Sequence, residues 1–147
     1  NFGIDPSRLI FAEKLEINQH LSRLKFADLF LDTYPYGAHT TCSNALRMGL
    51  PVVTLAGDSF ASRVSASLLN SINLNELITD NLENYEKLAT DISSDEKLFI
   101  EIKNKIKLQI KCSNLFKPEV FTKNLEKAFK LIYENYLEGN NPKNIEL

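Results

Sequence analysis

The sequence predicts an α/β fold: a parallel sheet in the first two thirds of the chain, then an all-helical section. Two observations carry this reading. Short apolar runs recur without polar–apolar alternation, as strands buried on both faces require. Between them lie stretches of about 10–15 residues with helical patterning, long enough for the crossovers of βαβ units. The runs are Arg8–Ala12 after the turn signal Asp5-Pro6-Ser7, Leu29–Leu31 before Asp32, and Pro51–Leu55 between Gly49 and Gly57. A weaker run, Glu76–Ile78, precedes Asp80.

Helix signals fall where this arrangement needs them. Asn18 can cap a helix with Leu21, Leu24 and Ala27 on its apolar face. Thr40 or Thr41 can cap a short helix through Ala45, Leu46 and Met48, which Gly49 ends with Pro51 close behind. Ser62 stands at the start of a helix over Val64–Ile72. Asp80 with Glu83, and Ser93 with Glu96, have the spacing of N-terminal capping pairs. The second pair precedes Leu98, Ile102 and Ile106, a stripe read as a core face. Pro118 suits the first turn of a last helix carrying Phe121, Leu125, Phe129, Ile132 and Tyr136, and Gly139 ends it. Segments 1–92, 93–139 and 140–147 are thus expected to be the sheet-bearing region, C-terminal helices and a polar tail.

Length and composition narrow the function classes. The chain has 147 residues, 44% hydrophobic and 24% charged, enough for one core without staples. Seventeen basic residues against nineteen acidic ones give a net charge of -2, which argues against a nucleic-acid surface. Cys42 and Cys112 are the only cysteines, too few for a disulfide framework, and they suit a reducing, cytoplasmic setting. No apolar run approaches a membrane span. The opening Asn1–Pro6 lacks the basic and apolar regions of a signal peptide, and it starts without Met, so the chain is expected to be a piece of something longer.

In parallel sheets, ligands bind beyond the carboxyl ends of the strands. That rule points to the loops Thr33–Thr41 and Ala56–Ser62. The first places Gly37, His39, Thr40 and Thr41 at a helix N-terminus, where free N–H groups and the positive dipole end favour phosphate. It reads equally as an ordinary helix cap beside a surface histidine. In the second, Ser59 and Ser62 can cap or touch a ligand, and Arg63 can bind an anion or a surface carboxylate. His20 and Arg23 share one helical face, either flanking a base or phosphate or simply solvated. Cys42, at a helix start, is a stabilised thiolate or a small packing residue. The sequence has no His-Glu-x-x-His, no Cys-x-x-Cys, no carboxylate cluster, no glycine-rich phosphate loop and no nucleophile elbow. No metal or cofactor is expected.

Four stretches together carry a resemblance: Ala27-Asp28-Leu29-Phe30-Leu31-Asp32-Thr33; Tyr34-Pro35-Tyr36-Gly37-Ala38-His39-Thr40-Thr41; Gly49-Leu50-Pro51-Val52-Val53-Thr54; and Gly57-Asp58-Ser59-Phe60-Ala61-Ser62-Arg63-Val64-Ser65-Ala66-Ser67. They closely resemble the O-linked N-acetylglucosamine transferase family, which includes bacterial relatives and the SPINDLY-type O-fucosyltransferases. The resemblance runs from Gly3 to about Gly139 and weakens in the Lys-rich helices after residue 90.

The resemblance implies an incomplete second, nucleotide-sugar-binding Rossmann-like domain of a GT-B glycosyltransferase. It implies that His39, Thr40 and Thr41 hold the diphosphate of a UDP-sugar donor, with Gly37 in the same loop. His20 and Arg23 would lie beside the base. Asn44 stands where the N-acetylglucosamine transferases have a ribose-binding Asp, and Ile17 where the animal enzymes have a Lys; both are departures. The implied acceptor is Ser or Thr of a protein, selected by regions not present here. The other Rossmann-like domain, with the proposed catalytic His, is absent, so no catalytic residue is expected in this chain and it is expected to be inactive alone. The first two strands of the donor domain are also absent. In the strand order 3-2-1-4-5-6 they would lie between Arg8–Ala12 and Leu29–Asp32, leaving an exposed edge. The last helix of a GT-B fold crosses onto the other domain, so Phe121, Phe129, Tyr133 and Tyr136 would lack their cover. Both features lead to an expected homo-oligomer. The alternative to an enzyme part is a non-catalytic nucleotide-binding or self-associating module.

Overall fold

The computed structural model describes residues 3–146; Asn1, Phe2 and Leu147, at the outer ends of the expected segments, lie outside it. Three parallel strands form one sheet in the order β1-β2-β3: β1 (Phe30–Leu31), β2 (Val52–Leu55) and β3 (Ile78–Thr79). Phe30 pairs with Val52 and Leu31 with Val53; Thr54 pairs with Ile78 and Leu55 with Thr79. All four residues of β2 are buried, so both faces of the central strand are covered. Helices α2 (Thr40–Arg47), α3 (Val64–Ser71) and α4 (Leu82–Ser94) pack on β2. Helix α5 (Glu96–Cys112) packs on α4 and α2, and α1 (Ile17–Leu24) on α2. The core joins Leu46, Val52, Val53, Leu69, Leu77, Ile92, Ile102 and Ile106. Ile102 and Ile106 are buried, with Leu98 packed beside them, so the expected α5 stripe does face the core. Among the described residues no helix is long and apolar enough to cross a membrane.

Helix α2 ends as its sequence predicts. Gly49 takes φ +76°, its N–H donates to Leu46 O, and Leu50 N donates to Ala45 O. These two bonds satisfy the last carbonyls of the helix at a conformation glycine adopts without steric cost. Pro118 opens α6 (Pro118–Leu137), and Gly139 follows its end.

The helix starts correct the expected caps. Glu16, not Asn18, precedes α1, and its side chain makes no capping bond. His39, rather than Thr40 or Thr41, is the residue before α2; the two threonines are its first two helical residues. Before α3 the residue is Arg63, while Ser59 receives Ser62 N to cap a short 3-10 turn, Phe60–Ser62. Asn81 displaces Asp80 at α4, receiving Asn84 N at 2.8 Å. Asp95 displaces Ser93 at α5, receiving Lys97 N and Leu98 N on one carboxylate oxygen. A carboxylate is the stronger acceptor, and the Ser93 hydroxyl instead donates back to Thr90 O.

Two further expectations change. Arg8–Ala12 is no strand: Pro6–Arg8 form a 3-10 turn capped by Asp5, and the chain then runs exposed, with Ile10 at 87% and Phe11 at 91%. A parallel strand exists only through its neighbours' hydrogen bonds, and this run has none beside it. The Phe121/Leu125/Phe129/Ile132 stripe is not a core face here, because α6 buries no residue and Phe129 is 62% exposed. This matches the uncovered face expected of a last helix lacking its partner.

Candidate functional site

Both loops lie beyond the carboxyl ends of β1 and β2, and hydrogen bonds fuse them. Gly37 N donates to Ala61 O at 2.9 Å, and His39 Nε2 lies 3.4 Å from the same carbonyl. A Cβ on residue 37 would stand 3.1 Å from both Ala61 O and Asp32 Oδ2, a tight contact that favours glycine there. Ser65 Oγ, from α3, donates to Ala38 O at 2.7 Å.

The junction leaves the start of α2 open. Thr40 and Thr41 are exposed, and the first-turn N–H groups have no partner within their helix. His39 is half-buried, stacked on Tyr36 at 5.4 Å between ring centroids and edge-on to Phe60 at 5.9 Å. Asn44 is half-buried one turn along α2, on the side of Thr40 and Thr41. This edge therefore presents hydroxyls, amide donors and an imidazole to one region, a set suited to a multiply charged anion.

His20 and Arg23 form a second group, on α1. Arg23 Nη2 lies 3.0 Å from His20 Nδ1, and Nη1 donates to Glu13 O at 2.8 Å. A guanidinium only donates, so in this contact Nδ1 stands as the acceptor. Together with Lys14, Leu15, Glu16 and Ile17 they line a cleft of about 550 Å³. The structure thus brings His20 to Arg23, and Gly37 to His39, Thr40 and Thr41; the groups connect through the packing of α1 on α2.

Cys42 proves to be a packing residue. It is fully buried, and burial pushes its thiol from an ordinary 9.0 up to about 11; the Asp32 charge adds to this, and a Ser65 hydrogen bond opposes it. Arg63 is exposed and takes part in neither ion pair among the described residues, Lys105–Glu76 and Lys130–Glu134.

Asp32, Thr54, Ser65 and Tyr85, for which the sequence suggests no site role, build the loop's foundation. Asp32 is buried; its Oδ1 accepts Thr33 N at 2.9 Å and Ala38 N at 2.6 Å, and its Oδ2 accepts Thr54 Oγ1 at 2.7 Å. Tyr85 OH donates to Asp32 O at 2.8 Å, and burial, then the Asp32 charge, raises its pKa. The signal available was an acidic residue directly closing an apolar strand. A larger cleft, about 970 Å³, lies between α6 and the 140–146 tail. Its charged lining is Glu134, Glu138 and Glu146 against Lys143, a balance that repels a diphosphate.

The profile of glycosyl transferase family 41 matches residues 1–125. The chain belongs to glycosyl transferase family 41. It is 31% identical over 141 residues to the probable UDP-N-acetylglucosamine–peptide N-acetylglucosaminyltransferase SPINDLY of Oryza sativa subsp. japonica, covering 95% of this chain and 15% of the relative. It is 37% identical over 87 residues to the UDP-N-acetylglucosamine–peptide N-acetylglucosaminyltransferase of Caenorhabditis elegans, covering 59% of this chain and 8% of that one. Its fold matches a solved mutant of the Thermobaculum terrenum O-GlcNAc transferase with a TM-score of 0.85 at 29% identity, over 90% of this chain and 26% of that one. The chain thus spans about 15% of the length of the rice relative. Its three-stranded sheet and helices are those of part of a family 41 GT-B glycosyltransferase.

Proposed function

We propose that this family 41 chain is the donor-binding part of a protein O-glycosyltransferase. In this reading Gly37, His39, Thr40 and Thr41 hold the diphosphate of a UDP-sugar, Asn44 meets the ribose, and His20 and Arg23 flank the base. The observation that carries it is the open N-terminus of α2, with Thr40 and Thr41 exposed on a loop fixed from behind. The names of the relatives supply the donor, UDP-N-acetylglucosamine, and a peptide acceptor.

Such a site works by stabilising charge. As the sugar leaves, negative charge grows on the diphosphate, and preorganised N–H and O–H donors meet it without reorganising. The hydroxyl-bearing acceptor and any base come from elsewhere in the full protein, so this chain binds donor and does not transfer. The donors are protein groups, so the reading needs no metal. It assigns residues 1–92 to the sheet-bearing region, 93–139 to the closing helices and 140–147 to a tail. It also sets the protein in the cytoplasm and has the isolated chain self-associate.

Calorimetry with UDP tests the site. Changing Thr40 and Thr41 together to Ala weakens binding by about 1–3 kcal/mol, the scale of hydrogen bonds to a charged group. The wild-type affinity is the same with and without EDTA. Unchanged affinity in the double variant contradicts the diphosphate assignment.

A further inference from the structure

Asp32 is buried, carries a carboxylate, and enters neither ion pair among the described residues. We infer that it is a positioning residue, holding the backbone before His39 so that His39, Thr40 and Thr41 face a diphosphate in register. The inference rests on the donor-site reading above.

The geometry is a clamp on Ala38, the residue just before the helix cap. Its N–H is held by Asp32 Oδ1 at 2.6 Å and its carbonyl by Ser65 Oγ at 2.7 Å. With both backbone groups fixed, the chain has little freedom in how it enters α2. The same Oδ1 receives Thr33 N, so one oxygen closes the loop from both ends. The other oxygen is tied to Thr54 on the central strand, whose carbonyl in turn receives Thr79 Oγ1 from β3. Tyr85, from α4, fixes the Asp32 carbonyl. The loop thus hangs from the whole width of the sheet. A carboxylate suits the task because one oxygen accepts two N–H groups at once, a charge-assisted arrangement stronger than neutral bonds. Its charge is directed at these three donors, so an anion beyond the loop meets the first turn of α2 instead.

UDP titration of the 147-residue chain, at a temperature where every variant is folded, tests this. Asp32→Ala is expected to weaken UDP binding about tenfold, the scale of one lost charge-assisted hydrogen bond. Asp32→Asn keeps the oxygen that receives both N–H groups, and Thr54 can turn its hydroxyl to accept, so the loss falls to about threefold. Leu69→Ala, a core change that removes none of the loop's hydrogen bonds, lowers the melting temperature and leaves UDP affinity unchanged. If Asp32→Ala fails to fold, Asp32→Asn combined with Ser65→Ala loosens both sides of Ala38 and is expected to cost about tenfold. Wild-type affinity in Asp32→Ala, or in that double variant, overturns the inference, as does an equal loss in Leu69→Ala. Unchanged affinity in the Thr40/Thr41 double variant instead removes the donor site, and the inference with it.

Discussion

The loops at the end of the sheet and the last helix both expose conspicuous side chains, with different structure behind them. Beyond β1 and β2, Tyr36, Phe60, Thr40 and Thr41 stand at the surface, while the backbone beneath is tied to Asp32, Ala61 and Ser65. On α6, Phe121, Phe129, Tyr133 and Tyr136 stand at the surface with no buried residue of the helix beneath them. The first is a surface whose backbone is fixed from behind by hydrogen bonds. The second is an apolar face that the described residues leave uncovered. Exposure alone does not separate the two cases; the hydrogen bonds behind the exposed groups do.

The sharpest way to break this contrast is to truncate a side chain in each region. Leu46 is fully buried on α2, and Leu46→Ala is expected to cost about 2–5 kcal/mol of unfolding free energy. Phe129→Ala on α6 is expected to change it by less than about 0.5 kcal/mol. Urea unfolding measures both, and similar losses would mean that α6 is packed into the body.

Both the contrast and its origin were partly legible in the sequence. Pro51–Leu55, bounded by glycines, announces the central strand, and Gly49 and Pro118 mark helix ends, because each signal is local. The candidate loop, beyond the carboxyl ends of β1 and β2, follows from the rule for parallel sheets. Asp32 did not: its partners lie one, six and twenty-two residues away, two in the loop and one on β2, and no short window of sequence holds them together. The α4 and α5 caps lie one and two residues from those expected, because Asn81 and Asp95 outcompete adjacent side chains able to do the same work. Arg8–Ala12 has a strand's composition and lacks the neighbours that would make it one.

A second effect, somewhat smaller, sharpens the view of the loop's foundation. The Cys42 thiol is raised from 9.0 to about 11 in the fold. Between those values the unfolded chain gives up its proton and the native one keeps it. Stability is therefore intact below pH 9 and falls as pH rises toward 11, by about 2–3 kcal/mol. Replacing Cys42 with Ala should flatten this part of the pH profile, and at pH 8 iodoacetamide should label exposed Cys112 and spare Cys42. A profile unchanged in Cys42→Ala would show that the thiol is not held neutral.

The smallest effect on stability belongs to the helix. Exchanging Phe129 and Tyr133 for Ser should leave the unfolding midpoint nearly unchanged yet shift sedimentation at micromolar concentration toward the 16.7 kDa monomer. A wild-type chain that already sediments as a monomer at every concentration would mean that the face needs no cover.

In the proposed reading the loop edge, and not the apolar helix, receives the donor. Titrating the ¹⁵N-labelled chain with UDP and following its amide signals tests this most directly. The expected result is progressive shifts at Gly37 to Asn44, with His20 and Arg23, while the α6 amides stay in place. Shifts confined to α6 and the 140–146 tail, with Gly37 to Asn44 unmoved, would contradict it.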